Sequence, residues 1–181
     1  MVYVMLAEGF EEIEALAFTD ILRRAEIETK LVSVTGDKTV TGSHKISVCA
    51  DITADEIDKE NLTAIVLPGG LPGTYNLRDS IAVENLLKFA TAENKLIGAI
   101  CAAPYVFDYY GYLNGKKSTV NPGFVTEMKN AQLINERVVI DGNIVTSQGP
   151  GTAHEFAGAF ITLLKDKETA ENLLEEMLYL K

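Results

Sequence analysis

The feature that most constrains this chain is a series of short apolar runs separated by amphipathic stretches. Val2–Leu6, Ala64–Leu67 and Leu96–Ile100 carry no polar alternation at all. Strands of that kind are buried on both faces, and helices must cover them. The alternation predicts an α/β protein: a mainly parallel sheet between two helical layers. Ligands of such sheets bind beyond the carboxyl ends of the strands. Residues just after Leu6, Leu67 and Ile100 are therefore predicted to gather at one edge.

The remaining pattern is consistent with that plan. A helix is predicted from about Glu11 to Ala25, and Ile27–Val34 reads as a strand. Val40–Gly42 and Ile46–Val48 read as a small hairpin insert. Ser80 is placed to cap a helix carrying Val83, Leu86, Leu87 and Ala90 on one face. Asp141-Gly142 reads as a tight turn between Val138–Ile140 and Asn143–Val145. Thr152 and Glu155 have capping-box spacing ahead of Phe156, Phe160 and Leu164. A short charged helix is expected around 169–178. The 181 residues fit one domain, spanning 1–181, with no repeat or linker.

Charge and cysteine usage limit the partners. There are 16 Lys and Arg against 26 Asp and Glu, a formal charge of −10. Such a surface repels phosphate backbones and anionic lipid, so neither nucleic acid nor membrane is expected as a partner. Arg23-Arg24 is the candidate for a local basic patch, and it is small. No apolar run approaches the roughly 20 residues that span a bilayer. The opening Met1–Leu6 lacks a basic leader and reads as a first strand. Cys49 and Cys101 alone make no disulfide framework, which suggests free thiols and a reducing, cytoplasmic setting. Neither His44 nor His154 is near a cysteine in sequence, so no metal motif is visible and no metal or cofactor is expected. His44 reads as solvated, His154 as structural, and Cys49 as exposed or at a subunit contact.

Three strand ends carry the chemistry. In Ala99-Ile100-Cys101-Ala102-Ala103-Pro104 a buried strand runs into Cys101, and the small residues after it permit a sharp turn. This is the pattern of a nucleophile elbow. Backbone N–H groups after the turn would face the sulfur and lower its pKa. From spacing alone, a buried structural cysteine is an equal alternative. In Leu67-Pro68-Gly69-Gly70, paired glycines permit close backbone approach, and their N–H groups suit an oxyanion hole. A plain tight turn is the competing reading. Glu14 shares the inward face of the first helix with Phe18 and Ile21, which desolvates its carboxyl and raises its pKa. Glu11 is its rival, and both also suit an ordinary first helical turn.

Glu11-Glu12-Ile13-Glu14, Leu67-Pro68-Gly69-Gly70, Ala99–Pro104 and Thr146–Thr152 occur in this order. Together they resemble the ThiJ/PfpI superfamily, in its DJ-one branch, over nearly the whole chain. The resemblance implies a flavodoxin-like three-layer sandwich and a homodimer. It maps a nucleophile onto Cys101, its acidic partner onto Glu14, and oxyanion donors onto the backbone of Gly70 and Ala102. Gly69 and Asn121 would line the site. It sets Cys49, Arg24 and the Gly149-Pro150 turn near the dimer contact. It implies a cofactor-independent, glyoxalase-like or deglycase-like enzyme acting on small reactive carbonyls or glycated adducts. The alternative it implies is a redox-sensing stress protein or chaperone that uses oxidation of Cys101. Two departures bear on activity. The protease branch has a histidine after its cysteine, where this chain has Ala102, so peptidase activity is not expected. Asn121 stands where the DJ-one branch often has a histidine, and asparagine cannot shuttle a proton near neutral pH.

Overall fold

The computed structural model describes residues 1–179. In chain order, β1 (Val2–Leu6) leads into α1 (Glu12–Arg24) and β2 (Thr29–Ser33). β3 (Thr39–Thr41), β4 (Ser47–Cys49) and β5 (Ile52–Thr53) follow, then β6 (Ala64–Leu67), α2 (Gly73–Arg78) and α3 (Ile81–Ala92). β7 (Leu96–Ile100), α4 (Pro104–Tyr109) and two short strands, β8 (Lys117–Ser118) and β9 (Gln132–Leu133), come next. The chain closes with β10 (Val138–Asp141), β11 (Ile144–Ser147), α5 (Ala153–Leu164) and α6 (Lys167–Glu176).

The main sheet has the order β10-β11-β7-β6-β1-β2-β5. All its neighbours pair in parallel except β10 with β11. The five central parallel strands have the doubly wound order of flavodoxin-like folds. In β1, Val2, Val4 and Leu6 face one helical layer, while Tyr3 and Met5 face the other. Both faces are thus apolar, which explains the lack of alternation in the sequence. On the first face Phe18 of α1 packs against Phe156 and Phe160 of α5, with ring centroids 5.1 and 5.0 Å apart. On the second, Leu77, Val83, Leu87 and Phe107 from α2, α3 and α4 cover Ile65, Ile97 and Ala99.

The strand sequence supports the winding, and local bonds set the ends. Ser80 caps α3 as expected, its hydroxyl accepting from the N–H of Val83. Glu11 lies outside the first helix as its N-cap, accepting from the N–H of Glu14 at 2.7 Å. Three expectations are corrected. Asp141 is the last paired residue of β10, opposite Ile144, so the turn is Gly142-Asn143. The reason is that its carboxylate accepts from the N–H of Lys117 and pairs with Lys116. The Thr152–Glu155 capping box does not form. Thr152 Oγ1 is tied to Ser147 Oγ and to the Gly149 backbone, while Glu155 pairs with Arg137 and accepts from Tyr179. The final helix starts earlier than expected, at Lys167, because Asp166 caps it. Its predicted end lies beyond the helix, and residues 180–181 of the predicted domain fall outside the described residues. No helix among the described residues is long and apolar enough to cross a membrane. Arg23 and Arg24 are paired with Asp51 and Asp20, so the basic pair offers no free patch.

Candidate active site

The ends of β1, β6 and β7 do meet at one edge of the sheet. Cys101 follows β7 directly and has φ of 64°, a left-handed conformation that costs an L-residue roughly 1–2 kcal/mol. The surroundings hold it there. Its N–H donates to Ser147 O at 2.9 Å, and its carbonyl accepts from the N–H of Asn121 at 2.8 Å. A strained residue over-determined by its neighbours at a strand end is the geometry of a nucleophile elbow.

The paired glycines lie against this elbow. A Cβ on Gly69 would stand 2.7 Å from Cys101 Cβ and 2.8 Å from Glu14 Oε2. Gly70 has φ of 90°, and a Cβ there would meet the Glu11 N and Gly9 O atoms at 2.5 Å each. A side chain at Gly69 would displace the elbow or the Glu14 carboxyl, and one at Gly70 the loop after β1. Two N–H groups, those of Gly70 and Ala102, act on the sulfur. Pro104 begins the helix that follows and has no N–H to give.

Glu14 is 1% exposed, and its Oε2 accepts from the N–H of Gly69 at 2.7 Å. Its carboxyl adjoins the Cys101 thiol, yet Oε1 is buried with no hydrogen-bond partner. An ionised oxygen in that position is costly. Burial therefore pushes the Glu14 carboxyl up to about 8, against the pull of the Gly69 N–H and with the charge of Glu11 adding to it. The charge of the N-cap residue Glu11 is itself held back by burial, which raises its pKa.

The expectation of a depressed thiol pKa is corrected. Burial, then the charge of an ionised Glu14, then its bond to the thiol push Cys101 up to about 12, and the N–H groups of Ala102 and Gly70 only partly offset them. Two anions in one dry site oppose each other, so the two residues do not give up both protons together. While Glu14 keeps the proton, its charge no longer opposes the thiolate.

The other residues named from sequence fall out as follows. Asn121 is adjacent to the elbow through its backbone, but its side chain accepts from the Gly123 N–H and donates to Gln148 O. It therefore holds a turn. Cys49 is exposed and Cys101 half-buried, both as free thiols. His154 stacks on Tyr179 with ring centroids 4.7 Å apart. The sequence reading missed Ser147 as the anchor of the elbow; the only signal was its place at the end of a strand. It also missed that Glu12 and His44, 32 residues apart, bond at 2.9 Å. His44 is solvent-exposed but paired.

A parallel sheet with a strained cysteine at its carboxyl edge, a buried acid against the sulfur and a glycine pair beside both defines a doubly wound α/β protein with a cysteine elbow. The DJ-1/PfpI family model matches residues 1–163, and the chain belongs to that family. Protein DJ-1 homolog B of Arabidopsis thaliana is 39% identical over 92% of this chain, though over 38% of its own length. This chain spans less than half the length of the Arabidopsis relatives it matches. A Pyrococcus horikoshii protein named as a deglycase is 32% identical over 91% of this chain and 99% of its own. The solved structure of oxidized Toxoplasma gondii DJ-1 superposes with a TM-score of 0.95 at 38% identity, covering 99% of this chain and 98% of that one.

Proposed function

We propose that this chain is a cysteine-dependent, cofactor-independent enzyme of deglycase or glyoxalase type, acting on small reactive dicarbonyls or their adducts. The observation that carries the reading is the buried, unpartnered Glu14 Oε1 against the Cys101 thiol. A carboxyl held there takes up and returns a proton near neutral pH.

With methylglyoxal, Cys101 Sγ bonds to the aldehyde carbon, and the carbonyl π pair moves to oxygen. The N–H groups of Gly70 and Ala102 stabilise that oxygen as charge develops. The thiol proton passes through Glu14 to the oxygen, giving a hemithioacetal. Glu14 then removes the proton on the former aldehyde carbon and returns it to the neighbouring ketone carbon, while the hemithioacetal hydroxyl gives its proton to the ketone oxygen. The first carbon is oxidised to a thioester and the second reduced to an alcohol. Water cleaves the thioester, releasing lactate and restoring the thiol. Asn121 is occupied elsewhere, so Glu14 carries every proton transfer. The homology to the Pyrococcus deglycase supports the same attack on a glycated adduct. A homodimer in a reducing, cytoplasmic setting is part of this reading.

The test is lactate release from methylglyoxal by purified protein, beside Cys101→Ala. Loss of turnover in the variant is expected; equal turnover in both refutes the reading.

One observation favours a second reading, a redox-sensing stress protein. The same N–H pair and protonated Glu14 suit the oxygens of a sulfinate on Cys101, and a similar chain has been solved oxidized. Intact mass after mild peroxide decides it: oxygen must appear on Cys101 before Cys49.

A further inference from the structure

Three segments leave the site, and each carries an aromatic ring a short way further on. Tyr105 stands in the first turn of α4, its N–H donating to Ala102 O at 3.1 Å. Phe124 follows the Asn121 turn. Its N–H donates to Asn121 O at 2.8 Å, and the Asn121 N–H donates in turn to Cys101 O. Tyr75 follows Thr74 in α2, whose N–H donates to Gly70 O at 2.9 Å. Each root thus bonds to a residue that supplies an N–H to the sulfur or, through Asn121, to Cys101 itself.

The three rings meet. Their centroids lie 6.1 Å (Tyr75–Tyr105), 6.2 Å (Tyr75–Phe124) and 6.2 Å (Tyr105–Phe124) apart. Interplanar angles of 85°, 42° and 59° leave no pair stacked face to face. Rings inclined in this way form a corner that takes a further ring, edge-on or offset. Tyr75 is exposed, and Tyr105 and Phe124 are half-buried, so the corner is open to solvent. We propose that Tyr75, Tyr105 and Phe124 form an aromatic subsite beside Cys101 that binds the aryl group of an arylglyoxal, so that such dicarbonyls are preferred to methylglyoxal. The inference rests on the dicarbonyl reading above and names its substrate class.

The charge beside the rings selects the occupant. Arg78 of α2 lies over Tyr75, Tyr105 and Tyr109, with Cζ 5.3, 5.9 and 5.4 Å from their centroids. A cationic ligand seeking those π faces would meet a like charge. Asp79 accepts two of the guanidinium bonds, at 2.7 and 2.8 Å, and Tyr105 Oη accepts a third at 3.2 Å. An anionic ligand therefore finds that cation already paired. A neutral π-system is the group that satisfies both conditions.

The rings are also held in advance. Arg78 fixes Tyr105 through its hydroxyl, and Tyr110 Oη donates to Arg78 O, tying α4 back to α2. Little ordering is left for a ligand to impose. One helical turn is about 5.4 Å. A methyl group falls short of such a span from the reacting carbon, whereas a phenyl group extends across it. Phenylglyoxal and water give mandelate by the steps already described, the aldehyde carbon oxidised and the aryl ketone carbon reduced.

The test compares kcat/KM for phenylglyoxal and methylglyoxal, from initial rates of mandelate and lactate release. The parent should favour phenylglyoxal by about tenfold or more. Tyr75→Ala, which removes an exposed ring, and Tyr105→Leu should each lower that ratio by about 3–10-fold. Taking the ratio within one variant cancels any general loss of folded protein. Methylglyoxal turnover with a parent ratio near one, or with ratios unchanged in both variants, overturns the subsite and leaves the dicarbonyl reading standing. If neither dicarbonyl is consumed, that reading falls and alkylation decides the subsite. In a Cys49→Ser background, Cys101 should react faster with phenacyl bromide than with bromoacetone, each rate divided by that of free glutathione. Equal normalised rates, or an excess untouched by Tyr75→Ala and Tyr105→Leu, overturn it.

Discussion

The two sides of the first turn of α1 make a natural comparison. Glu12 and Glu14 stand two residues apart, and both are buried, 4% and 1% exposed. Burial works to raise both carboxyls. Glu12 nonetheless ends below its ordinary value, because the His44 ring and the N–H groups of His44 and Ile46 outweigh burial. Glu14 has one backbone donor, the Gly69 N–H, besides the Cys101 thiol, and ends near 8. The number of donors, more than depth, decides which acid keeps its proton. The hairpin side of the helix is built to hold a charge; the elbow side is built to withhold one.

The largest expected effect tests the elbow side. Glu14→Gln keeps the shape and the bond from Gly69 but has no transferable carboxyl proton. Turnover of methylglyoxal should fall by about 10²–10⁴-fold, the usual worth of general acid–base catalysis, as read by lactate release. Unchanged turnover would remove Glu14 from the chemistry.

The hairpin side should respond in stability. Glu12→Ala strips the acceptor from the His44 and Ile46 N–H groups. It should cost about 1–3 kcal/mol in urea denaturation, the range for leaving buried donors unpaired. A neutral result would mean that water replaces the carboxylate and that the turn is not held by it.

Gly69→Ala sharpens the comparison at the sulfur. The added methyl must separate Cys101 from Glu14 or shift the loop. A loss of about 1–3 kcal/mol is expected from overpacking, with an altered pH profile for alkylation of Cys101.

The smallest effects are the pH signatures, and they should have opposite signs. The raised Glu14 pKa gives stability that is present below pH 4.5 and is lost as pH rises toward about 8. Melting temperatures of Glu14→Gln should therefore gain on the parent across that window. The lowered Glu12 pKa gives stability present above pH 4.5 and lost as pH falls through the folded value. Glu12→Gln should trail the parent near neutrality and close the gap in acid. Trends of the same sign would break the contrast.

How much of this was legible in sequence follows the range of the interactions. β1, β6 and β7 were readable because a strand buried on both faces leaves an unbroken apolar run. Their carboxyl ends were readable because sheet topology places them together. Ser80 was readable as a cap because its bond closes within one turn. The Asp141 turn slipped by one residue because a bond from Lys117 decided it. The Glu12–His44 contact has no local pattern at all. The left-handed backbone of Cys101 was hidden too, since it depends on Ser147 and Asn121 from elsewhere in the chain. The direction of the thiol shift was misread because the amide dipoles were visible from the motif, whereas the depth of burial was not.

The bond from Cys101 N–H to Ser147 O has a consequence for biosynthesis. The strand that anchors the nucleophile leaves the ribosome some 46 residues after it, at about 5–20 residues per second. For those seconds the sulfur sits in an unfinished sheet, without the fold that shields it. Oxidative or carbonyl damage to newly made chains should therefore exceed damage to mature ones.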